Sequence, residues 1–445
     1  MTTPTEDLAE LLVDGHRILP PLLADLDAAE RDIHLAIFLF FRDPIGDEVA
    51  DALIRAARRG VAVRVLLNVS KTQMGDPFST GEKEMMRHDP HVHHDATDIE
   101  PLCERLREGG VEVVDTNIDY DREIPGVNPR LRSVAAQIRG AIAVDDLHID
   151  HRKLIVIDGR VAYCGGANVG AQYLFHAPFD PRQEAHQEAE ALKRADHPEP
   201  WWKWHDSLTR FEGPIAPAID RHFRERWILD GGSPCALESA PPLPGRVAPR
   251  GQSLRAAQVL VNQPDDQPNQ IRETYLRLIG EAERSIFIEN PYCYHPAIVD
   301  ALVAAKQRRP QLRVDLVLPA RAWNDNEFAH DAQQYHYARY LGCGIGVYEY
   351  QNHFNHLKMA VFDERFSIHG STNLNHRSLE NDKDFELVVL VDDEALARRI
   401  LVEVRDVDIP CSKRFTGSDL AGLAGHLRVR SRDPRTLLML SRRVL

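Results

Sequence analysis

The sequence predicts an α/β fold made of two similar halves, because one pattern of strands and helices occurs twice. Residues 29–33 (AERDI) recur as residues 282–286 (AERSI), and the tripeptide DAL at 51–53 recurs 249 residues later at 300–302. Such self-similarity indicates a duplicated structural unit. The chain has 445 residues, which is enough for two domains and a large buried core.

Each half is expected to begin with strand, helix and strand. In the first half, residues 33–41 are apolar and β-prone, and residues 47–59 carry apolar side chains at helical spacing. Residues 61–67 form a second apolar run, which opens after Gly60. Alternation of strands and helices is typical of an α/β fold.

Glycine and proline separate the two halves. Residues 230–258 are rich in both, which is the composition of a linker. We therefore place the domain boundary near residue 245, with halves at 1–245 and 246–425. An arginine-rich tail follows at 426–445.

The first half also carries an insertion. It is 44 residues longer than the second half between the DAL tripeptide and the histidine motif described below, and we place the extra residues within about 70–140. This insertion includes a histidine-rich tract at 88–95. Such a tract can bind metal. A solvated loop is the preferred interpretation, because no helix or strand register brings those side chains together.

Composition narrows the classes of function and location. No segment reaches 18 uninterrupted apolar residues, and the N-terminus lacks the pattern of a secretory signal, so a cytoplasmic protein is expected. The six cysteines are scattered without zinc-ligand spacing, which predicts reduced and mostly packed thiols. A net charge of −14 opposes non-specific nucleic-acid binding, so nucleic acid is an unexpected partner.

Two copies of a His-x-Lys-x4-Asp motif carry the functional signal. In both copies a glycine follows the histidine at +14 and an asparagine at +17, giving His151, Lys153, Asp158, Gly165 and Asn168, then His356, Lys358, Asp363, Gly370 and Asn373. One such motif is expected by chance at roughly one position in 10⁴. Two copies in identical register therefore indicate function rather than coincidence.

The residue types of the motif suit attack on a phosphodiester. A neutral imidazole can attack phosphorus, and a second imidazole can protonate the leaving oxygen. Lysines and asparagine amides can stabilise the phosphoryl oxygens without a metal or another cofactor. The apolar runs Leu154–Ile157 and Met359–Phe362, directly after the motif lysines, are expected to be short strands. Residues two apart in a strand share a face, so each histidine and its lysine should point the same way. The aspartates at +7 should support the site from behind.

These residues resemble the phospholipase D superfamily, and the surrounding sequence looks most like that of bacterial cardiolipin synthases. The resemblance spans about residues 15–416 and includes the segments Trp204-His205-Asp206, Pro291-Tyr292, Asn373 to Ser378, Asn381-Asp382 and Phe385-Glu386. It implies two α/β/α sandwich halves with mixed sheets, related by a pseudo-twofold axis, with one site at their interface. It also implies a covalent phosphohistidine intermediate formed without a metal.

The resemblance also implies roles for particular residues. Catalysis is expected from both motifs, with His151 as the nucleophile. An acidic residue downstream of each motif is expected to orient the histidine of that motif, and Asp206 and Glu386 occupy these positions. Phosphate binding is expected from Asn168, Ser371 and Asn373. Gly166 stands where many relatives have serine, which makes the two copies unequal.

The leading hypothesis is therefore a phosphatidyltransferase of cardiolipin-synthase type. Its partners would be a phosphatidylglycerol-like phospholipid and an alcohol or water acceptor. A phospholipase D hydrolase, a nuclease of the same superfamily and a catalytically silent lipid-binding protein remain as alternatives. The arginine-rich tail suits contact with the anionic inner face of the membrane, or it is a solvated helix. The tryptophans at 201, 202 and 204 suit an interfacial anchor or, preferably, a packed core.

Overall fold

The first half of the chain forms an eight-stranded mixed sheet. The computed structural model describes residues 6–69, 99–116, 149–178, 203–238, 249–263, 269–324, 326–380 and 384–421. The elements of the first half are β1 (Leu8–Val13), α1 (Gly15–Ala28), β2 (Asp32–Ile37), α2 (Pro44–Arg58), β3 (Ala62–Leu67), α3 (Glu100–Glu108), β4 (Glu112–Asp115), β5 (Ile149–Asp150), β6 (Leu154–Ile157), β7 (Val161–Gly165), β8 (Trp204–His205), β9 (Ser207–Glu212), α4 (Ile215–Leu229) and β10 (Gln252–Ser253). The sheet order is β10-β1-β9-β7-β6-β2-β3-β4. Strands β2, β3 and β4 run parallel to each other, whereas the remaining neighbours are antiparallel.

The second half repeats this arrangement. Its elements are β11 (Ala256–Asn262), α5 (Gln270–Glu281), β12 (Ser285–Glu289), α6 (Pro296–Arg308), β13 (Arg313–Pro319), a 3-10 turn (Arg321–Trp323), α7 (Glu327–Gln334), α8 (Tyr337–Cys343), β14 (Gly346–Tyr350), β15 (Phe354–Asn355), β16 (Met359–Phe362), β17 (Phe366–Gly370), α9 (His376–Leu379), β18 (Asp384–Asp392), α10 (Glu394–Ile400), a π-helical turn (Leu401–Arg405), α11 (Asp406–Asp408) and β19 (Ser412–Arg414). The order β11-β18-β17-β16-β12-β13-β14 matches β1-β9-β7-β6-β2-β3-β4 strand for strand. The predicted duplicated α/β fold is confirmed.

Local sequence explains where the first helix–strand unit begins and ends. The Asp43 side chain accepts hydrogen bonds from the backbone N–H of Ile45 and Gly46, at 3.0 and 2.8 Å, with Pro44 in the first turn. Helix α2 therefore begins three residues before the predicted residue 47, because an aspartate cap followed by proline starts a helix. Strand β2 ends at Ile37 rather than at the predicted residue 41.

The large apolar clusters of the described residues form the core. One lies mainly within the first half and one within the second, each formed largely by strands and their covering helices. The third contains side chains from both sheets, including Cys164 and Phe211 from the first and Met359 and Leu387 from the second. Because apolar burial is the main stabilising term in folding, this shared cluster fixes the two halves against each other.

The predicted linker is shorter than expected. Strand β10 pairs with β1 of the first sheet, and β11 pairs with β18 of the second, so the chain passes between the sheets at residues 254–255. Several sequence predictions fall outside the described residues. They concern the boundary at 245, most of the insertion including the tract at 88–95, Trp201 and Trp202, the segment 381–382 and the tail at 426–445.

Two further expectations concern cysteines and membrane spans. All six cysteines are described and free of disulfides, and four are buried, as predicted. Within the described ranges, every helix falls short of the length and apolarity needed to cross a bilayer.

Candidate active site

Both histidine motifs begin next to a short strand that pairs with the opposite half. Strand β5 precedes His151 and pairs in parallel with β18 of the second half. Strand β15 precedes His356 and pairs in parallel with β8 of the first half. Backbone hydrogen bonds continue these pairings, from His151 N–H to the Phe385 carbonyl at 3.0 Å and from His356 N–H to the His205 carbonyl at 2.8 Å. The two motifs are thereby held at the seam between the halves.

Each motif histidine is oriented by a carboxylate from the other half. His151 Nδ1 lies 2.9 Å from Glu386 Oε1, and His356 Nδ1 lies 2.7 Å from Asp206 Oδ2. The expectation that each acid orients the histidine of its own motif is wrong. The exchange follows from the strand pairings, because β18 carries Glu386 to the first motif and β8 brings Asp206 to the second.

In each imidazole Nδ1 is engaged by a carboxylate, so Nε2 is the nitrogen available for chemistry; in His356 this nitrogen also lies 2.9 Å from Lys358 Nζ. Burial lowers the pKa of His151 well below its ordinary value, and the charge of Lys153 adds to the effect. Burial likewise lowers the pKa of His356, followed by the charges of Lys358, Lys153 and His151. The charges of the first motif therefore act on the histidine of the second, as expected for groups that share one buried site.

The two orienting carboxyls are buried and poised near neutrality. Removal from water raises the pKa of Asp206 to about 7 and that of Glu386 to about 7, against the opposing charges of Lys358 and Lys153. A carboxyl with such a pKa can hold an imidazole either by charge or by a shared proton. Perturbed pKa values of this kind cluster at functional sites.

The motif lysines supply positive charge beside the imidazoles. Lys153 Nζ donates to the His151 carbonyl at 2.7 Å, and Lys358 Nζ donates to the His356 carbonyl at 2.8 Å. Lys358 Nζ also lies 2.9 Å from His356 Nε2. Burial lowers the pKa of Lys153 to about 7, and the like charge of Lys358 contributes. Two cationic groups close together in a dry site favour binding of an anion.

The motif aspartates hold the backbone rather than the imidazoles. Asp158 accepts from the backbone N–H groups of residues 30, 31 and 32 at 2.7–3.3 Å, and Asp363 accepts from those of residues 283, 284 and 285 at 2.7–3.2 Å. Both aspartates have φ of 55°. Each carboxylate thus ties the strand that follows its lysine to the start of the neighbouring strand. We assign these aspartates a structural role and no contact with the reacting group.

The candidate phosphate-binding residues differ between the copies. The Asn168 Oδ1 accepts from the backbone N–H of Leu39 at 3.1 Å, which leaves its amide NH₂ as the donor for an anion. The Asn373 Oδ1 is buried and has no hydrogen-bond partner among the residues that the structure describes. The Ser371 hydroxyl donates to Glu386, so its expected role as a phosphate ligand is replaced by support of the carboxylate that orients His151.

Glycine at position 166 is required by the neighbouring carboxylate. A Cβ at this position would lie 2.2 Å from Asp206 Oδ1. In the second copy the Ser371 hydroxyl contacts the carboxylate of Glu386. In the first copy the Asp206 carboxylate occupies the space that a side chain at position 166 would need. The Asp206 Oδ1 receives the backbone N–H of Ser207 at 2.7 Å.

Aromatic rings line the histidines unequally, and sequence reasoning assigned most of them no role. Phe38 packs edge-on against His151, with ring centroids 4.9 Å apart, and its face lies 4.8 Å from Lys153 Nζ. Three rings surround His356 at 4.9–5.8 Å, those of Trp204, Phe354 and Tyr173. Trp204 is 5% exposed, which confirms the packed-core interpretation for that tryptophan.

Ser378 is a further residue that sequence reasoning missed. Its hydroxyl donates to Glu386 Oε1 at 2.6 Å, so Glu386 is held by two serine hydroxyls and by His151. The available signal was its place in the run from Asn373 to Ser378, directly after the second motif.

Comparison with known proteins agrees with this geometry. The family described as "Cardiolipin synthase, PLD-like domain" matches residues 22–184 and 275–406, so the match falls on both halves. The major cardiolipin synthase ClsA of Bacillus subtilis is 26% identical over 415 residues, covering 93% of this chain and 71% of that protein. Cardiolipin synthase A of Buchnera aphidicola is 26% identical over 394 residues, covering 88% of this chain and 67% of that protein.

A solved structure shows the same fold. The phosphatidylserine synthase of Haemophilus influenzae superimposes with a TM-score of 0.60 at 14% identity, covering 98% of this chain and 95% of that chain. At this identity the likeness concerns the fold alone.

Proposed function

Because the chain belongs to the cardiolipin synthase family with phospholipase D-like domains, we propose that it transfers a phosphatidyl group from one phospholipid to an alcohol through a covalent phosphohistidine. The observation that carries this proposal is the pair of imidazoles at the seam, each held at Nδ1 by a carboxylate of the opposite half. Both Nε2 atoms then serve one phosphoryl group, one as nucleophile and one as acid and base.

The first step forms one bond and breaks another. His151 Nε2 attacks the phosphorus of the donor lipid, the N–P bond forms, and the P–O bond to the headgroup alcohol breaks. The leaving oxygen takes a proton from His356 Nε2. Burial and the neighbouring lysines lower the pKa of His356 in the empty site. The anionic phosphodiester and Asp206, 2.7 Å from Nδ1 of that ring, favour the protonated form that this step requires.

The second step reverses these movements with a new alcohol. The acceptor hydroxyl gives its proton to His356 Nε2 and its oxygen attacks phosphorus. The P–O bond forms and the N–P bond breaks. Lys153 and Lys358 offset the charge of the non-bridging oxygens in both steps, because cations in a dry site stabilise developing negative charge.

The assignment of nucleophile and acid rests on the family resemblance and is supported by the surroundings of the rings. The His151 side chain is 12% exposed and faces one aromatic ring, whereas that of His356 is 7% exposed and is enclosed by three. The more open ring suits attack on an incoming lipid phosphate. The enclosed ring suits storage and return of a proton.

One assay separates transfer from the alternatives. The full-length protein is incubated with EDTA and phosphatidylglycerol vesicles, and separately with DNA. Cardiolipin and glycerol support transfer. Phosphatidic acid identifies a hydrolase, cut DNA identifies a nuclease, and the absence of every product indicates a catalytically silent protein.

Variants test the shared site and the order of roles. We expect His151→Ala and His356→Ala each to lose at least about 10³-fold in turnover, as for a removed nucleophile or general acid. His176→Ala is the control, because His176 is exposed and pairs with Glu48. A phosphatidyl ester with a p-nitrophenol leaving group needs no acid, so His356→Ala should give one burst of nitrophenol and His151→Ala none. A burst from His151→Ala would reverse the assignment.

A further inference from the structure

A second cluster of ionisable side chains lies buried directly behind His356. It contains His205 from the first half, and Glu289 and Asp408 from the second, with one ligand atom from each within 4.8 Å of the others. The backbone carbonyl of His205 accepts from His356 N–H at 2.8 Å. The side chains of these three residues take no part in the proposed phosphoryl transfer.

The imidazole of His205 is oriented as in metal sites. Its Nδ1 lies 2.7 Å from Asp14 Oδ1, and its Nε2 lies 3.1 Å from Asp408 Oδ2. A carboxylate on Nδ1 fixes a proton there and directs Nε2 toward the opposite edge of the ring. Glu289 and Asp408 lie at that edge.

Glu289 and Asp408 are completely buried, and their carboxyl groups are hydrogen-bonded to each other. Among the described residues, Glu289 Oε2 and Asp408 Oδ1 accept no hydrogen bond from an N–H group or a hydroxyl. Two carboxyl groups held together away from water are costly unless a proton or a cation lies between them. A bound cation can take the place of that proton.

The charges of the cluster also call for a cation. Three carboxylates, including Asp14, surround one imidazole. Burial raises the pKa of Glu289 well above its ordinary value, with the charge of Asp408 adding to it. For His205 burial lowers the pKa, but the charges of Asp14 and Asp408 outweigh it and the net shift is upward.

We propose that His205, Glu289 and Asp408 bind one divalent transition-metal ion of the Zn²⁺ or Mn²⁺ type. One imidazole nitrogen with carboxylate oxygens suits these ions. Asp14 orients the imidazole and does not bind the ion. Because His205 comes from one half and the two carboxylates from the other, the ion stabilises the seam that holds His356. It takes no part in the phosphoryl chemistry, and the proposal does not depend on the proposed function.

A similar cluster in the second half provides an internal control. His295, His376 and Glu380 also bring ligand atoms within 4.8 Å. However, His295 Nδ1 accepts the backbone N–H of Ala297 at 3.2 Å, so its Nε2 carries the proton and donates to Glu380 at 2.9 Å. Glu380 is further occupied by Arg272 at 2.9 Å. We expect no metal at this cluster.

The test measures bound metal in the full-length protein. His91, His93 and His94 are first replaced by alanine to remove a competing histidine tract. Metal analysis of this parent after desalting should give about one equivalent of zinc or manganese, the occupancy of a single buried site. Glu289→Gln should lose that equivalent, and the matched Glu380→Gln should keep it.

A metal titration measures the affinity of the folded protein for the ion, which distinguishes a lost ligand from a loss of folded protein. Metal-free parent protein is titrated with Zn²⁺ against a chromogenic chelator, and with Co²⁺ to record its visible absorption. Asp14→Asn keeps all three ligands and should weaken Zn²⁺ binding about 10–100-fold, as expected when a partner of a metal-binding histidine is removed. Binding should also release about two protons.

Two results would overturn the proposal. One is a parent protein that contains no metal and binds none in titration. The other is equal binding by the parent and by Glu289→Gln. If Glu289→Gln fails to fold, Asp14→Asn decides the question, and unchanged Zn²⁺ affinity in that variant rejects the site.

Discussion

Replacement of Gly166 by serine should lower kcat about 10²-fold, although it copies the residue found at the equivalent position of the second motif, Ser371. The built Cβ at position 166 lies 2.2 Å from Asp206 Oδ1, 3.0 Å from its Cγ and 3.1 Å from its Oδ2. Packed atoms cannot remain at the first of these distances. Asp206 must therefore move.

The size of the effect follows from that movement. Relief of the contact to an ordinary van der Waals separation requires a shift of roughly 1 Å, and a misplacement of this size costs about 10²-fold in rate. Asp206 holds His356 at 2.7 Å, so the shift passes directly to the imidazole. Overpacking of this kind also destabilises by about 1–3 kcal/mol.

The assay compares kcat for phosphatidyl transfer with thermal unfolding. Ser371→Gly, the reciprocal change, removes one hydroxyl from Glu386 but leaves the contacts from Ser378 and His151. Its loss should stay within about tenfold, since one hydrogen bond is worth about 1 kcal/mol.

Gly280→Ser is the control for introducing serine, because a Cβ there meets nothing within 4 Å. If Gly166→Ser keeps kcat within threefold of the parent while remaining folded, the proposed clash with Asp206 is refuted.

Three other predictions concern the aspartates, the pH profile and the aromatic wall. Asp363→Asn should lower the free energy of unfolding by about 1–3 kcal/mol, because charged hydrogen bonds to three backbone N–H groups are weakened. Urea unfolding measures this change. If kcat of the folded protein also falls more than tenfold, Asp363 has more than a structural role. The pH profile of kcat/KM should be bell-shaped with its maximum near 7. The pKa of Glu386 is about 7, so its carboxylate charge is lost below that pH, and the pKa of Lys153 is about 7, so its positive charge is lost above it. A flat profile from pH 6 to 9 would show that the charges of these two groups do not control the rate. Phe38→Leu should reduce kcat/KM about fivefold, because a cation–π contact with Lys153 worth about 1 kcal/mol is lost. Phe175→Leu is the matched control. It removes a ring 4.8 Å from Lys203 and should leave kcat/KM unchanged.

Local pattern alone was sufficient for much of the fold and for the identity of the motif residues. The apolar runs directly after the motif lysines predict the strands Leu154–Ile157 and Met359–Phe362, and the structure has both with these bounds. The repeated segments likewise predict two halves, and matching sheet orders confirm them. Such features follow from neighbouring side chains, whose periodicity decides which face is buried.

The partners of the motif residues were decided only by tertiary structure. Glu386 lies 235 residues from His151 along the chain, and Asp206 lies 150 residues from His356. The family resemblance implied that each acid serves its own motif, but strand pairing across the seam exchanges them. Strand pairing within each half brings Ser371 close to Glu386 and Gly166 close to Asp206. The contacts between the histidines and their carboxylates form only when the two halves dock, and no local pattern of side chains encodes that approach.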